Sequence, residues 1–456
     1  MDQLHPIVNP APERLGQHID RTLRLALPVM VSRAGLIVLV AVDTAMTGHA
    51  GSEQLAFYAL GLAPQIFVLL VGLGLLLGTV VMTAQAEGAG HSHACGAIWR
   101  VALVHAALIG LLQLLLMFGG ETFLRLTGQT ETLAYGGGQV MIALGWSLPA
   151  MLMFIATTLF LEGIGRPLPG LIVMLVANGL NVVLNAVLIQ GYGELPAMGA
   201  EGAALATTMV RWFMFVAILG YVLLRVDANH YGLKGPIQQF RRRGRTLRRI
   251  GYPMALTHGL ESGAFSCMTL FAGLLGAVQV AAFQIAMTAI SLVFMSAQGF
   301  ATAASVRVGH AVGRNDGRGI RVAGWTATGL ACATLALFAL IFVTQAHWVV
   351  QFFSNDAEVV AVALVTVTVT GLVLIPDGLQ AVLIGALRGM GDVWPAAGLF
   401  LIAFWLVMVP AGYILGVILE YGAAGLIMAI LLGTTVAAVC VAWRFHAIAD
   451  RAVRRL

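Results

Sequence analysis

Residues 54–86 read QLAFYALGLAPQIFVLLVGLGLLLGTVVMTAQA, without one Asp, Glu, Lys or Arg. A helix crosses the hydrocarbon core of a bilayer with about 20 residues, so this stretch alone is long enough to span. Residues 168–193, 322–355, 393–419 and 421–443 are uncharged in the same way. The whole chain agrees: of 456 residues, 59% are hydrophobic and only 10% charged, with a mean hydropathy of +0.92. Soluble domains average about 25% charged. A water-soluble globule is excluded, and the fold class is an all-α polytopic membrane protein.

Apolar runs bounded by Gly, Pro and charge predict about twelve helices. Six lie near residues 21–46, 54–82, 97–118, 133–158, 168–190 and 202–224. Six more lie near 250–274, 278–304, 321–343, 358–384, 395–417 and 422–444. The net charge of +5 raises the question of a nucleic-acid partner, but the basic residues flank apolar spans, as membrane topology requires. Of the 25 Lys and Arg, all but Arg125, Arg33 and Arg211 fall on one side of this arrangement, including Arg14, Arg21, Arg24, Arg100, Arg166, Arg388 and the C-terminal arginines. Loops retained in the cytoplasm are the basic ones, so both termini are expected there. The opposite loops carry Glu53, Glu121, Glu131, Glu194, Glu201, Asp356, Glu358 and Glu420. The first twenty residues contain Pro6, Pro10 and Pro12 and no apolar core, so they lack the pattern of a cleavable signal; the first helix is expected to direct insertion. Cys95, Cys267, Cys332 and Cys440 are far apart and form no CxxC pair, so no disulfide reading follows.

The one substantial polar segment, residues 226–249, holds Arg241, Arg242, Arg243, Arg245, Arg248 and Arg249. It reads as a topogenic anchor near anionic headgroups, a contact with membrane lipid, and divides the chain into an N-lobe (1–225) and a C-lobe (250–456). The lobes repeat each other. One constant offset pairs Pro28 with Pro253, Gly48 with Gly273, Gly51 with Gly276, Gln54 with Gln279, Gly74 with Gly299 and Gly88 with Gly313. With small gaps, Leu161, Gly163 and Gly165 match Leu387, Gly389 and Gly391. Six spans per half is an even number, so both halves cross in the same sense about an axis along the membrane normal, as in transporters whose bundles rock around a central site. The 54 glycines suit close helix packing in lipid. Pro28 and Pro253 either start equivalent helices, where the missing N–H costs little, or act as hinges.

Acids inside spans are the informative positions, since each costs about 2.5–3.5 kcal/mol at mid-membrane on insertion scales. Three stand out: Asp43, Glu261 and Asp377. Their repeat mates are Met268, Leu36 and Met151, so the acids lie outside the symmetric framework, as function demands. The competing reading is a structural salt bridge to Arg33 or Arg211. Asn181 and Asn185 are spaced i, i+4 on one face of the fifth helix, and Thr207 lies one turn into the sixth. With an acid they form either an oxygen-ligand set for a hard cation or ordinary interhelical hydrogen bonds. Asn178, His258 and Gln284 are further polar candidates. His258, one turn before Glu261, either tunes that acid or merely bonds to it. His91, His93 and Cys95 cluster in a short loop without a second set of ligands, so no metal centre is expected.

In Val42-Asp43-Thr44-Ala45-Met46-Thr47-Gly48, in the stretch from Asn178 through Gly202-Ala203-Ala204-Leu205-Ala206-Thr207, and in Pro376-Asp377 followed by Leu387-Arg388-Gly389, the chain resembles the multidrug and toxic compound extrusion transporters, in their NorM-like branch. The resemblance covers nearly the whole chain. It implies two six-helix lobes in a V shape, in a bacterial inner-membrane antiporter that expels cationic amphiphiles in exchange for sodium ions or protons. It implies Asp43, Asn181, Asn185 and Thr207 as an N-lobe cation site, with Glu261 and Asp377 as the C-lobe acids. Some relatives have Asp where this chain has Asn185, which makes ion binding weaker here, and sodium-coupled members have Tyr where this chain has Val373. A monomer without cofactor is expected. Two other classes compete. A flippase for a lipid-linked precursor needs a cationic cavity, whereas the intramembrane charge here is mostly acidic. An intramembrane enzyme needs a nucleophile with a positioned base or a metal cluster, and neither is present, nor is a Walker-type GxxxxGK[ST] segment.

Overall fold

The computed structural model describes residues 15–192, 196–235, 239–353 and 356–449. Pro6, Pro10, Pro12, Arg14, Glu194 and the arginines beyond residue 450 lie outside them. Long helices run back and forth: α1 (Leu15–His49), α2 (Ser52–Gly88), α3 (His93–Met117), α4 (Glu131–Gly145 and Leu148–Gly163), α5 (Leu168–Gln190) and α6 (Gly199–Arg225) form the N-lobe. The C-lobe holds α7 (Phe240–Leu274), α8 (Ala277–Gly313), α9 (Gly317–Thr344), α10 (Ala357–Met390), α11 (Trp394–Ile418) and α12 (Gly422–Ile448). Among the described residues, ten helices are long and apolar enough to cross a bilayer, and the two segments of α4 together make an eleventh. The more polar α7 does not meet that standard, although its 35 residues reach about 52 Å.

The segments of α4 meet at 41°. Pro149 has no N–H to give to the preceding turn, and the helix breaks at Trp146 and Ser147. Two of the freed carbonyls find partners on α6, where Thr208 Oγ1 donates to Ala143 O (2.7 Å) and Trp212 Nε1 to Trp146 O (3.1 Å), while Ser147 Oγ, at the break itself, donates to Leu144 O (2.5 Å). Inside a bilayer no water can do this, so neighbouring helices must.

The internal repeat survives in detail. Gly51 and Gly276, both at positive φ, turn the chain from α1 to α2 and from α7 to α8. Three residues on, Gln54 Oε1 accepts the N–H of Ala200 (2.8 Å) and Gln279 Oε1 accepts that of Ala423 (2.7 Å), each capping the first turn of the lobe's last helix. Between lobes, α1 packs on α8 and α2 on α7. Gly74 abuts the backbone of Ala255, and Gly299 abuts Ala26 and Met30, so closely that a Cβ at either position would overlap them. Lower down, Gln85 Nε2 donates to Gly389 O (2.9 Å), and at the equivalent positions His310 Nε2 bonds to Gly163 O (2.9 Å). These inter-lobe contacts all fall in the half of the molecule nearest the Arg-rich loops.

Several helices run further toward that end than the sequence suggested. The polar segment 226–249 is not one linker, since α7 begins at Phe240. Arg243 Nη1 donates to Ala94 O (2.8 Å), and Arg248 Nη1 meets His105 Nε2 (2.9 Å), pinning this extension to α3. Residues 226–235 also fold onto the N-lobe, where buried Tyr231 packs edge-on against Phe160 and Gly96 N donates to Tyr231 O. Burial pushes the Tyr231 hydroxyl above the usual tyrosine range, whereas backbone N–H groups of His230 and Asn229 hold exposed Asp227 below the usual carboxylate range. Pro28 and Pro253 do not start helices. Both lie well inside α1 and α7, at the same distance from each beginning.

Candidate functional site

Asp43 sits in the C-terminal half of α1, 1% exposed. Four side chains converge on its carboxylate. Asn181 and Asn185 of α5 donate Nδ2 to Oδ1 at 2.9 and 2.6 Å, while Thr207 of α6 and Tyr58 of α2 donate to Oδ2 at 2.5 and 2.8 Å. Asn185 Nδ2 also reaches Asn181 Oδ1 at 3.2 Å. A carboxylate has about four acceptor directions, and each receives a donor here from one of three other helices. Such bonds to a charged group are worth about 1.5–3 kcal/mol each, which offsets the removal of the charge from water. Asn185 Oδ1 is buried without a partner, an acceptor available to a proton carried by Asp43 or to a small cation beside it. The three residues paired with Asp43 in the sequence come together on it. Asn178 does not: its Nδ2 bonds to Met174 O and its Oδ1 is buried without a partner.

Tyr58 was missed, since nothing in an uncharged run tells which residue of one helix will face an acid on another. A buried tyrosine does seek a partner for its hydroxyl, which is the signal its position nearly two turns into α2 offered.

The C-lobe acids are held differently. Asp377 of α10, directly after Pro376, is buried and receives Gln380 Nε2 from one turn along its own helix at 3.0 Å. Glu261 of α7 is partly exposed, with His258 Nδ1 a distant 3.9 Å from its Oε2, and Asp377 is the charge that faces it. Trp405, in a π-helical turn of α11, donates to Leu260 O (3.0 Å) beside Glu261. A π-turn inside a helix is rare and found mostly where function is. Val373 is fully buried one turn before Asp377. Gln284 is exposed on α8 and makes no side-chain hydrogen bond to either acid among the described residues.

Neither Arg33 nor Arg211 forms an ion pair within 4 Å of Asp43, Glu261 or Asp377 among the described residues. Arg211 instead donates Nη1 to Ser147 Oγ at 2.7 Å. Arg33 and Arg388 act on a further acid, Glu162, buried at the end of α4. Glu162 escaped the sequence reading because α4 was expected to end near residue 158 and in fact runs to Gly163. It lines a small cavity with Ser32, Arg33, Thr158 and Met174, and its Oε2 has no hydrogen-bond partner. Among the described residues no group of His, Cys, Asp and Glu could hold a metal ion.

Comparison with known proteins places this arrangement. The family model MatE matches residues 28–187 and again 253–414, once in each lobe. A protein of Caulobacter vibrioides named "Probable multidrug resistance protein NorM" is 34% identical over 426 residues, covering 93% of this chain and 90% of that protein. Multidrug resistance protein NorM of Burkholderia vietnamiensis is 31% identical over 443 residues, covering 96% and 95%. The crystal structure of the eukaryotic MATE transporter AtDTX14 superposes with a TM-score of 0.86 at 22% identity, covering 96% of this chain and all of that one.

Proposed function

The chain belongs to the MatE family, and on that premise we propose that it is a multidrug efflux antiporter, exporting small organic cations across the bacterial plasma membrane in exchange for sodium ions or protons. It is a transporter rather than an enzyme. The observation that carries the reading is Asp43, a buried carboxylate held by donors from three other helices and, among the described residues, in no ion pair. Such a group has two states, anionic or neutralised by a bound proton or sodium ion. Exchange follows if coupling ion and cationic drug cannot both occupy the acids of one molecule. Binding shifts the balance between inward-open and outward-open forms only by its different affinity for the two.

The basic loops favour a cytoplasmic location for both termini. With that orientation, the contacts of Gln85 with Gly389 and of His310 with Gly163 close the cytoplasmic side, and the molecule is outward-facing. Alternating access then requires those contacts to part while the far halves of the lobes approach. Asp43 is assigned as the principal coupling acid, with Glu261 and Asp377 shaping the C-lobe cavity.

The test is efflux of a fluorescent organic cation from proteoliposomes under a sodium gradient and a pH gradient imposed separately, for wild type and Asp43→Asn. Either gradient driving transport in wild type but not in the variant supports the reading, and the gradient that works names the ion. If neither gradient moves the cation, the antiporter reading falls. An anionic, lipid-linked substrate then becomes the next test, given Arg33 in the small cavity beside Glu162 and Arg388 acting on that acid.

A further inference from the structure

α6 brings two side chains to the N-lobe site from one face. Thr207 touches Asp43 directly, and Arg211 follows four residues later, so the two lie above one another on the helix. Arg211 is 8% exposed. Its Nη1 donates to Ser147 Oγ at the break of α4. The titratable groups that face it are Asp43 of α1 and Tyr58 of α2; α4 presents only the neutral Ser147 there, and α5 and α6 surround Asp43 with the neutral Asn181, Asn185 and Thr207.

A structural role leaves the charge unexplained. Thr208 and Trp212 already bond to carbonyls at the break, and a neutral donor would serve Ser147 as well as a guanidinium does. A permanent charge inside the membrane is costly, and where one is kept it marks function. Arg211 lies one helical turn from Thr207, which bonds to Asp43, and among the described residues makes no hydrogen bond or ion pair with that acid itself.

We propose that Arg211 is the fixed counter-charge of the Asp43 site, a positioning residue that sets how tightly the site holds its coupling cation. While Asp43 is ionised, the two charges balance. When a proton or sodium ion neutralises Asp43, Arg211 is left uncompensated, and its repulsion weakens the hold on the cation. Binding stays releasable, as turnover requires. The proposal rests on the reading of Asp43 as the coupling acid.

Three variants separate field from framework. Arg211→Gln removes the charge and keeps a donor for Ser147, Arg211→Lys keeps the charge, and Ser147→Ala keeps the charge and removes the bond. The readout is the pH profile of efflux in sodium-free medium, with a sodium titration at fixed pH. A unit charge acting across roughly 10 Å at an effective dielectric near 20 changes affinity about tenfold. Arg211→Gln should therefore reach half-maximal coupling at about tenfold lower cation concentration, which places its pH midpoint about one unit higher. Arg211→Lys and Ser147→Ala should keep the wild-type midpoint. Should Arg211→Gln fail to fold, Ser147→Asp sets an opposing charge beside the guanidinium and should move the midpoint the same way. A midpoint unchanged in the charge-altering variants overturns the proposal, as does an equal shift in Ser147→Ala. Loss of coupling in Asp43→Asn together with an unmoved Arg211→Gln removes this proposal alone. Full coupling in Asp43→Asn removes the reading beneath it as well.

Discussion

The two lobes are built on one framework and hold their acids in two ways. In the N-lobe, Asp43 receives four hydrogen bonds, all from side chains on other helices. In the C-lobe, Asp377 receives one, from its own helix, and Glu261 has only a distant His258 and the opposing acid for company. Yet the turns at Gly51 and Gly276 and the caps by Gln54 and Gln279 are nearly superimposable in their chemistry. A repeat can thus keep its scaffold while its chemistry diverges, because turns and caps fix the backbone and the cleft-facing side chains are left to vary. On the function proposed above, the N-lobe site would hold one small occupant in a set geometry, and the more loosely held C-lobe acids would take occupants of varied shape.

The largest effect expected of this contrast is in efflux rate. Asp43→Asn should lower coupled transport by about 100-fold or more, since the proposal makes this carboxylate the group that takes up the coupling cation, while Glu261→Gln or Asp377→Asn should each cost about tenfold. Initial rates in proteoliposomes compare them, and equal losses in the two lobes would break the distinction. Next is the double variant Glu261→Gln with Asp377→Asn: if the two acids act as a unit, it should be little worse than the poorer single variant, as a double-mutant cycle on drug binding reports. Smaller again is Tyr58→Phe, which removes one donor to the ionised Asp43, worth about 1.5 kcal/mol, and should therefore lower the half-saturating proton concentration roughly tenfold. The smallest effects test the shared framework. Gln54→Ala and Gln279→Ala should each lose about 1 kcal/mol of stability, the worth of a helix cap, by equal shifts in thermal melting of the purified protein. Unequal shifts would mean that the repeat has diverged in its turns as well as in its sites.

Much of this was legible in the chain, for physical reasons that differ from place to place. α5 was read as residues 168–190 and runs Leu168–Gln190, because Pro167 and Gly191 bound an unbroken apolar run. Asn181, Asn185 and Thr207 could be grouped because helical spacing alone puts the first two on one face. Tyr58 and Arg211 could not be assigned roles, since those depend on which faces of α1, α2, α4 and α6 meet. The start of α7 was misplaced for a different reason. Its arginines read as loop by charge, but arginine is a good helix former, and Arg243 and Arg248 found partners on α3. The break in α4 had a visible cause in Pro149, but Pro28, Pro64, Pro253 and Pro376 sit inside helices that continue through them, so proline alone does not decide.

The paired contacts that join the lobes have one further property. At both, the acceptor is a main-chain carbonyl, of Gly389 and of Gly163, and only the donor is a side chain, glutamine in one half and histidine in the other. A carbonyl is present whatever residue bears it, but here both belong to glycines at which a Cβ would overlap Thr83 or Ser305, so space rather than hydrogen bonding holds the acceptor positions to glycine. After an internal duplication the donors were free to drift independently, provided each could still reach across. Change at the seam is therefore confined to its two donor positions, since the glycines that let the lobes approach leave no room for a Cβ.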